Sequence, residues 1–225
     1  MIDGMARSVT RRTTITIGVV GAAILALALV VFLQTRDGPS DPETVESDDP
    51  RIVRADSHVV QQGDEGSPVL VEFLDFECEA CAALYPVVED LRAERGTDLT
   101  YVVRYFPLPS HPNSRQAAHA AEAAARQGEL EAMYQRLFET QAAWSHHQDD
   151  QSAVFRGYAE ELGLDLAQYD RDVASDEVAD RVEADFQDAL ELGLGGTPSL
   201  FLDGELFEPR TIADFEKAID RALAE

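Results

Sequence analysis

The chain has 225 residues, 45% of them hydrophobic, and its 43 acidic residues against 18 basic ones leave a formal net charge of −25. Such a balance repels polyanions, which excludes nucleic acid and anionic lipid headgroups as partners. Beyond the N-terminal region the length suits one well-filled core rather than two.

At the N-terminus, Arg7, Arg11 and Arg12 precede an apolar stretch from Ile15 to Leu33, long enough at helical rise to cross a hydrocarbon core of about 30 Å. Basic residues before the stretch and acidic ones after it predict a cytoplasmic segment 1–14, one transmembrane helix over 15–33 and an extracytoplasmic remainder. A cleaved secretory signal is the rival reading, but Phe32-Leu33-Gln34-Thr35-Arg36 offers no small-x-small cleavage site. Residues 34–50 hold Gly38, Pro39, Pro42 and Pro50 among serines and acids, and are expected to form a disordered acidic linker. From Asp37 onward 42 acidic residues face 14 basic ones, and Lys217 is the sole lysine of the chain.

The folded domain is expected over 51–225. Ile52-Val53 could form a short strand, Val59-Val60 begins the core, and a turn follows from Gly63 to Pro68. Val69-Leu70-Val71-Glu72-Phe73-Leu74 is short, mostly apolar and rich in β-branched residues, the pattern of a buried strand. A helix opens near Cys78, with Pro86 inside it, and Thr100 to Phe106 reads as a second buried strand. From 113 to about 190 the apolar residues recur at helical spacing, as in Leu130, Met133, Tyr134, Leu137 and Phe138. Trp144, beside His146 and His147 in a polar stretch, is expected to be exposed. Ser199 to Leu202 reads as a strand, Asp203-Gly204 as a tight turn, Leu206-Phe207 as the partner strand, and Ile212 to Leu223 as a closing helix.

Cys78 and Cys81 are the only cysteines, separated by Glu79 and Ala80. Such a pair can bind zinc, form a structural bridge or act as a redox dithiol. A zinc site needs four ligands, and no second cysteine pair or regularly spaced histidines accompany this one. A bridge closing so small a loop constrains the unfolded chain little. Redox exchange is therefore the favoured chemistry. Cys78, at the start of a helix, has free backbone N–H groups and the positive end of the helix dipole to stabilise its thiolate; Cys81, a turn further in, should be more buried. Glu79 adds a negative charge that opposes this. Asp75 has two readings, a proton relay to Cys81 or a solvated residue at the helix start.

Three segments carry a resemblance: Val71-Glu72-Phe73-Leu74-Asp75-Phe76-Glu77-Cys78-Glu79-Ala80-Cys81, then Phe106-Pro107-Leu108 with His111-Pro112, then Gly195-Gly196-Thr197-Pro198-Ser199-Leu200-Phe201. In this order they resemble the membrane-anchored, extracytoplasmic thiol-disulfide oxidoreductases of the DsbA-like family. The resemblance implies an α/β thioredoxin-like fold with an inserted helical subdomain. It also implies a cis Thr197–Pro198 bond that frees the Thr197 backbone to face the dithiol, and an apolar substrate groove beside Pro198. Expected partners are unfolded or partly folded secreted proteins with cysteines and a DsbB-like membrane redox protein; the enzyme is expected to be a monomer, without haem, nucleotide or metal cofactor. The strongest oxidants of the family carry proline and histidine between the cysteines, where this chain has Glu79 and Ala80. A Cys78 pKa below that of free cysteine but above the most acidic relatives is expected. The departure leaves open a reductase or isomerase, and a non-catalytic binding module is the reading from outside the enzyme class.

Overall fold

A computed structural model describes residues 49–224. The segment 1–14, the expected transmembrane helix 15–33 and all but the last two residues of the linker 34–50 lie outside the described residues. Among the described residues, no helix is long and apolar enough to cross a membrane.

Five strands form one sheet: β1 (His58–Gln61), β2 (Val69–Leu74), β3 (Thr100–Tyr105), β4 (Ser199–Leu202) and β5 (Glu205–Phe207), in the order β1-β3-β2-β4-β5. β2 runs parallel to β3 and antiparallel to β4, while β1 and β5 close the edges antiparallel. A parallel pair needs a crossover, and α1 (Glu79–Arg95) supplies it. Five helices fill the connection from β3 to β4, as the helical periodicity predicts: α2 (Ser114–Ala125), α3 (Leu130–Glu139), α4 (Ser152–Glu161), α5 (Leu166–Asp172) and α6 (Asp176–Glu191). The last, α7 (Ile212–Ala222), follows β5.

The central position of β2 leaves both of its faces covered, so alternation along the strand sorts side chains into two cores. Leu70 and Leu74 join Tyr101, Val103, Tyr105 and Leu200 in the larger core. Val71 and Phe73 join Val102, Phe106, Phe201 and Ala189 in the smaller one. The same alternation places one charged residue on each face, Glu72 toward the larger core and Arg104 toward the smaller, and both are buried.

Arg104 is extensively paired. Its Nε donates to Asp185 at 2.7 Å, Nη2 to Asp188 at 2.6 Å, and Nη1 to the carbonyls of Arg51 and Ile52 at 2.9 and 2.7 Å. The guanidinium also lies 5.0 Å from the ring centroid of Phe73. Asp185 accepts the Tyr105 N–H at 3.0 Å and pairs with Arg181 at 2.5 Å. This network explains why Ile52-Val53 forms a turn and not the expected strand. The carbonyls of Arg51 and Ile52 are committed to Arg104, and both apolar side chains of the pair insert into the smaller core.

Trp144 is also corrected: it is buried within the helical insertion, donates its indole N–H to the Leu137 carbonyl at 3.1 Å, and meets Phe155 edge-on at 4.9 Å. Breaking a buried ion pair by removing one partner leaves an uncompensated charge, which costs about 3–5 kcal/mol. Arg104→Met is expected to lower the unfolding free energy by that amount, measured as a reduced urea midpoint with an unchanged slope.

Candidate active site

Residues Asp75 to Cys78 carry the chain from the end of β2 into α1, and Cys78 stands at the N-cap in extended conformation (φ −73°, ψ 125°). Its side chain makes no capping bond to the helix, while its carbonyl accepts the Ala82 N–H at 3.1 Å. Both cysteines are free thiols. Cys81 is fully enclosed (0% exposed) whereas Cys78 retains 7%, so Cys78 is the sulfur an incoming group can reach. Its Sγ donates to the Thr197 carbonyl at 3.3 Å. The Thr197–Pro198 peptide is cis, as the resemblance implies, and leads directly into β4. Thr197 Oγ1 is buried with no hydrogen-bond partner, so it is free to donate to the sulfur once the sulfur carries charge.

The surroundings divide the two thiols. A hydrogen bond from the Cys81 thiol lowers Cys78 most; burial opposes it, the Thr197 side chain and the N–H groups of Cys81 and Ala80 add to it, and the result is about 5. That lies at the lower edge of the range expected from the sequence. Cys81 moves the other way, raised by burial first and then by its bond to Cys78 and the charges of Glu72 and Cys78. Glu72 was not singled out as a site residue from the sequence. Burial pushes it up to about 7, with the Tyr101 hydroxyl pulling back and the charges of Cys78 and Glu89 raising it further. That hydroxyl donates to Glu72 at 2.6 Å. A lone glutamate within the apolar run of β2, in register for an inner face, was the available signal.

Carboxylates buckle the turn before Cys78 to distant segments. Asp75 is buried, which removes the solvated reading. Its carboxylate accepts the N–H groups of Glu77 and Leu108, each at 2.8 Å, and pairs with His111 Nδ1 at 2.6 Å. Glu77 is enclosed as well and accepts the N–H groups of Asn113 and His146, each at 2.6 Å. Gln141 donates to the carbonyls of Phe76 and Cys78 at 2.8 and 2.9 Å. Glu79 is exposed and pairs with His146 Nε2 at 2.8 Å. Nothing in the spacing of these residues announces that they converge.

Beside Pro198 lies a cleft of about 590 Å³ between α1, β5 and α7, lined among others by Ala83, Leu84, Val87, Phe207 and Ile212. Leu206 and Ile212, both on its wall, are among the exposed large apolar side chains. An apolar groove at this position matches the expectation.

The family model described as Thioredoxin matches residues 55–221. Among curated relatives, the Na(+)/H(+) antiporter NhaA 1 of Mycolicibacterium vanbaalenii is 39% identical over 202 residues, covering 87% of this chain and 31% of that protein. The antiporter NhaA of Herminiimonas arsenicoxydans is 42% identical over 135 residues, 60% of this chain and 20% of the other. The chain thus spans about a third or less of the curated relatives it matches, and the antiporter name belongs to those longer proteins. Among solved structures, a thioredoxin-like oxidoreductase from Silicibacter pomeroyi DSS-3 aligns with TM-score 0.62 and 28% identity, over 79% of this chain and 95% of that one. BdbD from Bacillus subtilis aligns with TM-score 0.62 and 16% identity, over 73% and 92% of the two chains. MdbA, a thiol-disulfide oxidoreductase from Corynebacterium diphtheriae, aligns with TM-score 0.58 and 20% identity, over 71% and 85%. The chain belongs to the thioredoxin family and has the helix-inserted fold shared by the DsbA-type proteins of that superfamily.

Proposed function

We propose that the protein is a DsbA-like thiol-disulfide oxidoreductase that donates the Cys78–Cys81 disulfide to secreted or envelope proteins. The observation that carries this reading is the geometry of the dithiol: Cys78, the reachable sulfur, stands at the N-cap of α1 against the carbonyl of Thr197 in the cis Thr197–Pro198 segment, while Cys81 is fully enclosed. These surroundings hold Cys78 at about 5 and raise Cys81. The sign follows from linkage. A thiol lowered from 9.0 stabilises the reduced fold fully above that pH, progressively less as pH falls, and not at all below about 5. The disulfide form has no thiol to ionise, so across this window the reduced form gains and the disulfide becomes a strong donor.

In the donating direction a substrate thiolate attacks Cys78 Sγ; a substrate–Cys78 mixed disulfide forms, and the Cys78–Cys81 bond breaks. Cys81 leaves as a thiolate in an apolar enclosure and needs a proton. Glu72, raised to about 7 and coupled by charge to both sulfurs, is the group suited to deliver it. Asp75 has its carboxylate occupied by His111 and two backbone N–H groups. A second substrate thiolate then attacks the substrate sulfur of the mixed disulfide and expels the Cys78 thiolate. Two substrate thiols become a disulfide, the enzyme takes up two electrons, and a DsbB-like membrane partner reoxidises it. Thr197 and Pro198 hold the substrate backbone beside Cys78, and the cleft next to Pro198 takes apolar side chains of an unfolded or partly folded client.

The apolar stretch 15–33 behind Arg7, Arg11 and Arg12 supports a single-pass anchor in the cell membrane, with the catalytic domain on the extracytoplasmic side, where disulfides persist. One feature favours the reverse direction, a reductase: the acidic Glu79 between the cysteines, whose carboxylate pairs with His146 Nε2 at 2.8 Å.

Cys78→Ser is expected to abolish oxidation of a reduced, unfolded client; Cys81→Ser, given a client that already holds a disulfide, is expected to attack it through Cys78, release the other client sulfur as a thiolate and stop at the mixed disulfide; undiminished function in Cys78→Ser would support a binding module instead. Thiolate absorbance of the reduced protein is expected to rise with a midpoint near 5 and to report one thiolate, not two, up to about pH 8. Glu72→Gln is expected to slow client oxidation at neutral pH by about tenfold or more while leaving that midpoint in place, since Glu72 is itself uncharged near pH 5.

A further inference from the structure

The residues between the cysteines bring no basic group to the site, yet an imidazole stands next to it on another segment. His111, in the loop between β3 and α2, places Nδ1 2.6 Å from the Asp75 carboxylate, itself enclosed three residues before Cys78. The loop is fixed independently of that pair: the His111 N–H donates to the Leu108 carbonyl at 3.0 Å, and Ser114 Oγ donates to the His111 carbonyl at 3.2 Å. With Nδ1 turned to Asp75, Nε2 has no protein partner among the described residues. The charged and titratable groups around the imidazole are Asp75, Glu77 and Cys78 from the segment between β2 and α1, Glu79 from the first turn of α1, and His146 from the segment between α3 and α4. The His146 ring meets His111 edge-on at 5.8 Å and carries the Glu79 pair.

We propose that His111, oriented by Asp75, is a positioning residue that stabilises the Cys78 thiolate by charge, so that the loop after β3 supplies the cation that the Glu79-Ala80 pair lacks. The proposal rests on the disulfide-exchange reading and deepens it. Burial by itself favours the neutral imidazole, but the bond to Asp75 and the charges of Asp75, Cys78 and Glu77 outweigh it and hold His111 above its ordinary value. Coupling of this kind is reciprocal: if ionised Cys78 makes His111 easier to protonate, protonated His111 makes Cys78 easier to ionise.

The test is thiolate titration of the full chain, with the equilibrium against glutathione measured alongside. Burial lowers His111 while Asp75 raises it, so the charge is best removed or kept at position 111 itself, with Asp75 in place. His111→Gln removes the cation and leaves a buried carboxylate. The Cys78 midpoint should rise by about half a unit or more, and the equilibrium constant for oxidising glutathione should fall correspondingly, about threefold. An unmoved midpoint would mean that His111 only holds the loop, and the proposal would be overturned. His111→Lys separates charge from loop structure: a retained charge predicts a midpoint closer to wild type than that of His111→Gln, and a midpoint no closer overturns the proposal. Exchange that survives in Cys78→Ser would remove the underlying reading. Cys78-dependent exchange with an unmoved midpoint in His111→Gln would remove this proposal alone.

Discussion

The chemistry of this protein depends on the placement of one sulfur. Cys78 ends an extended segment and begins a helix, so its thiol meets the unpaired N–H groups of the first turn on one side and the backbone of Thr197 on the other. Both contacts require a backbone that two separate parts of the sheet deliver together. β2 brings Cys78 to one end of the sheet, and β4, paired antiparallel to β2 from Leu70 to Phe73, brings the Thr197–Pro198 peptide to the same end. The thiolate is thus stabilised mainly by backbone and neighbouring side-chain dipoles, which is how a dithiol with an acidic residue at its second position can still be strongly acidic at its first.

The two buried charges of the sheet show how burial can serve different ends. Arg104 is surrounded by two carboxylates, two carbonyls and an aromatic face. Its charge is compensated, and the network ties the entry segment at Arg51-Ile52 to β3 and α6. Glu72 on the opposite face has the Tyr101 hydroxyl as its hydrogen-bond donor. A carboxylate with so little compensation is held near neutrality by its surroundings, and it lies within electrostatic reach of both sulfurs. Full satisfaction gives a rigid floor; partial satisfaction gives a group that changes its proton near pH 7.

Much of this was legible in the sequence. The run Val69 to Leu74 coincides with β2, Thr100 to Phe106 extends one residue past β3, and the cis peptide at Thr197–Pro198 stands where the resemblance puts it. Local signals suffice for such features, because a β-branched run or a proline constrains its own backbone. The misreadings concern residues whose environment is made by distant segments. Trp144 sits among polar neighbours in the chain, but the insertion folds over it and gives its N–H a carbonyl. Nothing in the sequence around Glu77 announces its enclosure, yet two backbone N–H groups from segments more than 30 residues away converge on it. His111 and His146 come together with Asp75 and Glu79 only after the helices are packed, and no spacing in the sequence encodes that meeting.

The central claim is that stabilisation of the Cys78 thiolate makes the disulfide a donor. The most direct test is the equilibrium reduction potential of the Cys78–Cys81 pair, measured against a glutathione buffer. The account predicts a value of about −120 to −180 mV, the range of strong oxidants and oxidising isomerases. A value of about −250 mV or lower would contradict it, because the pair would then be a reductant and the acidic thiol would serve electron delivery instead of disulfide donation.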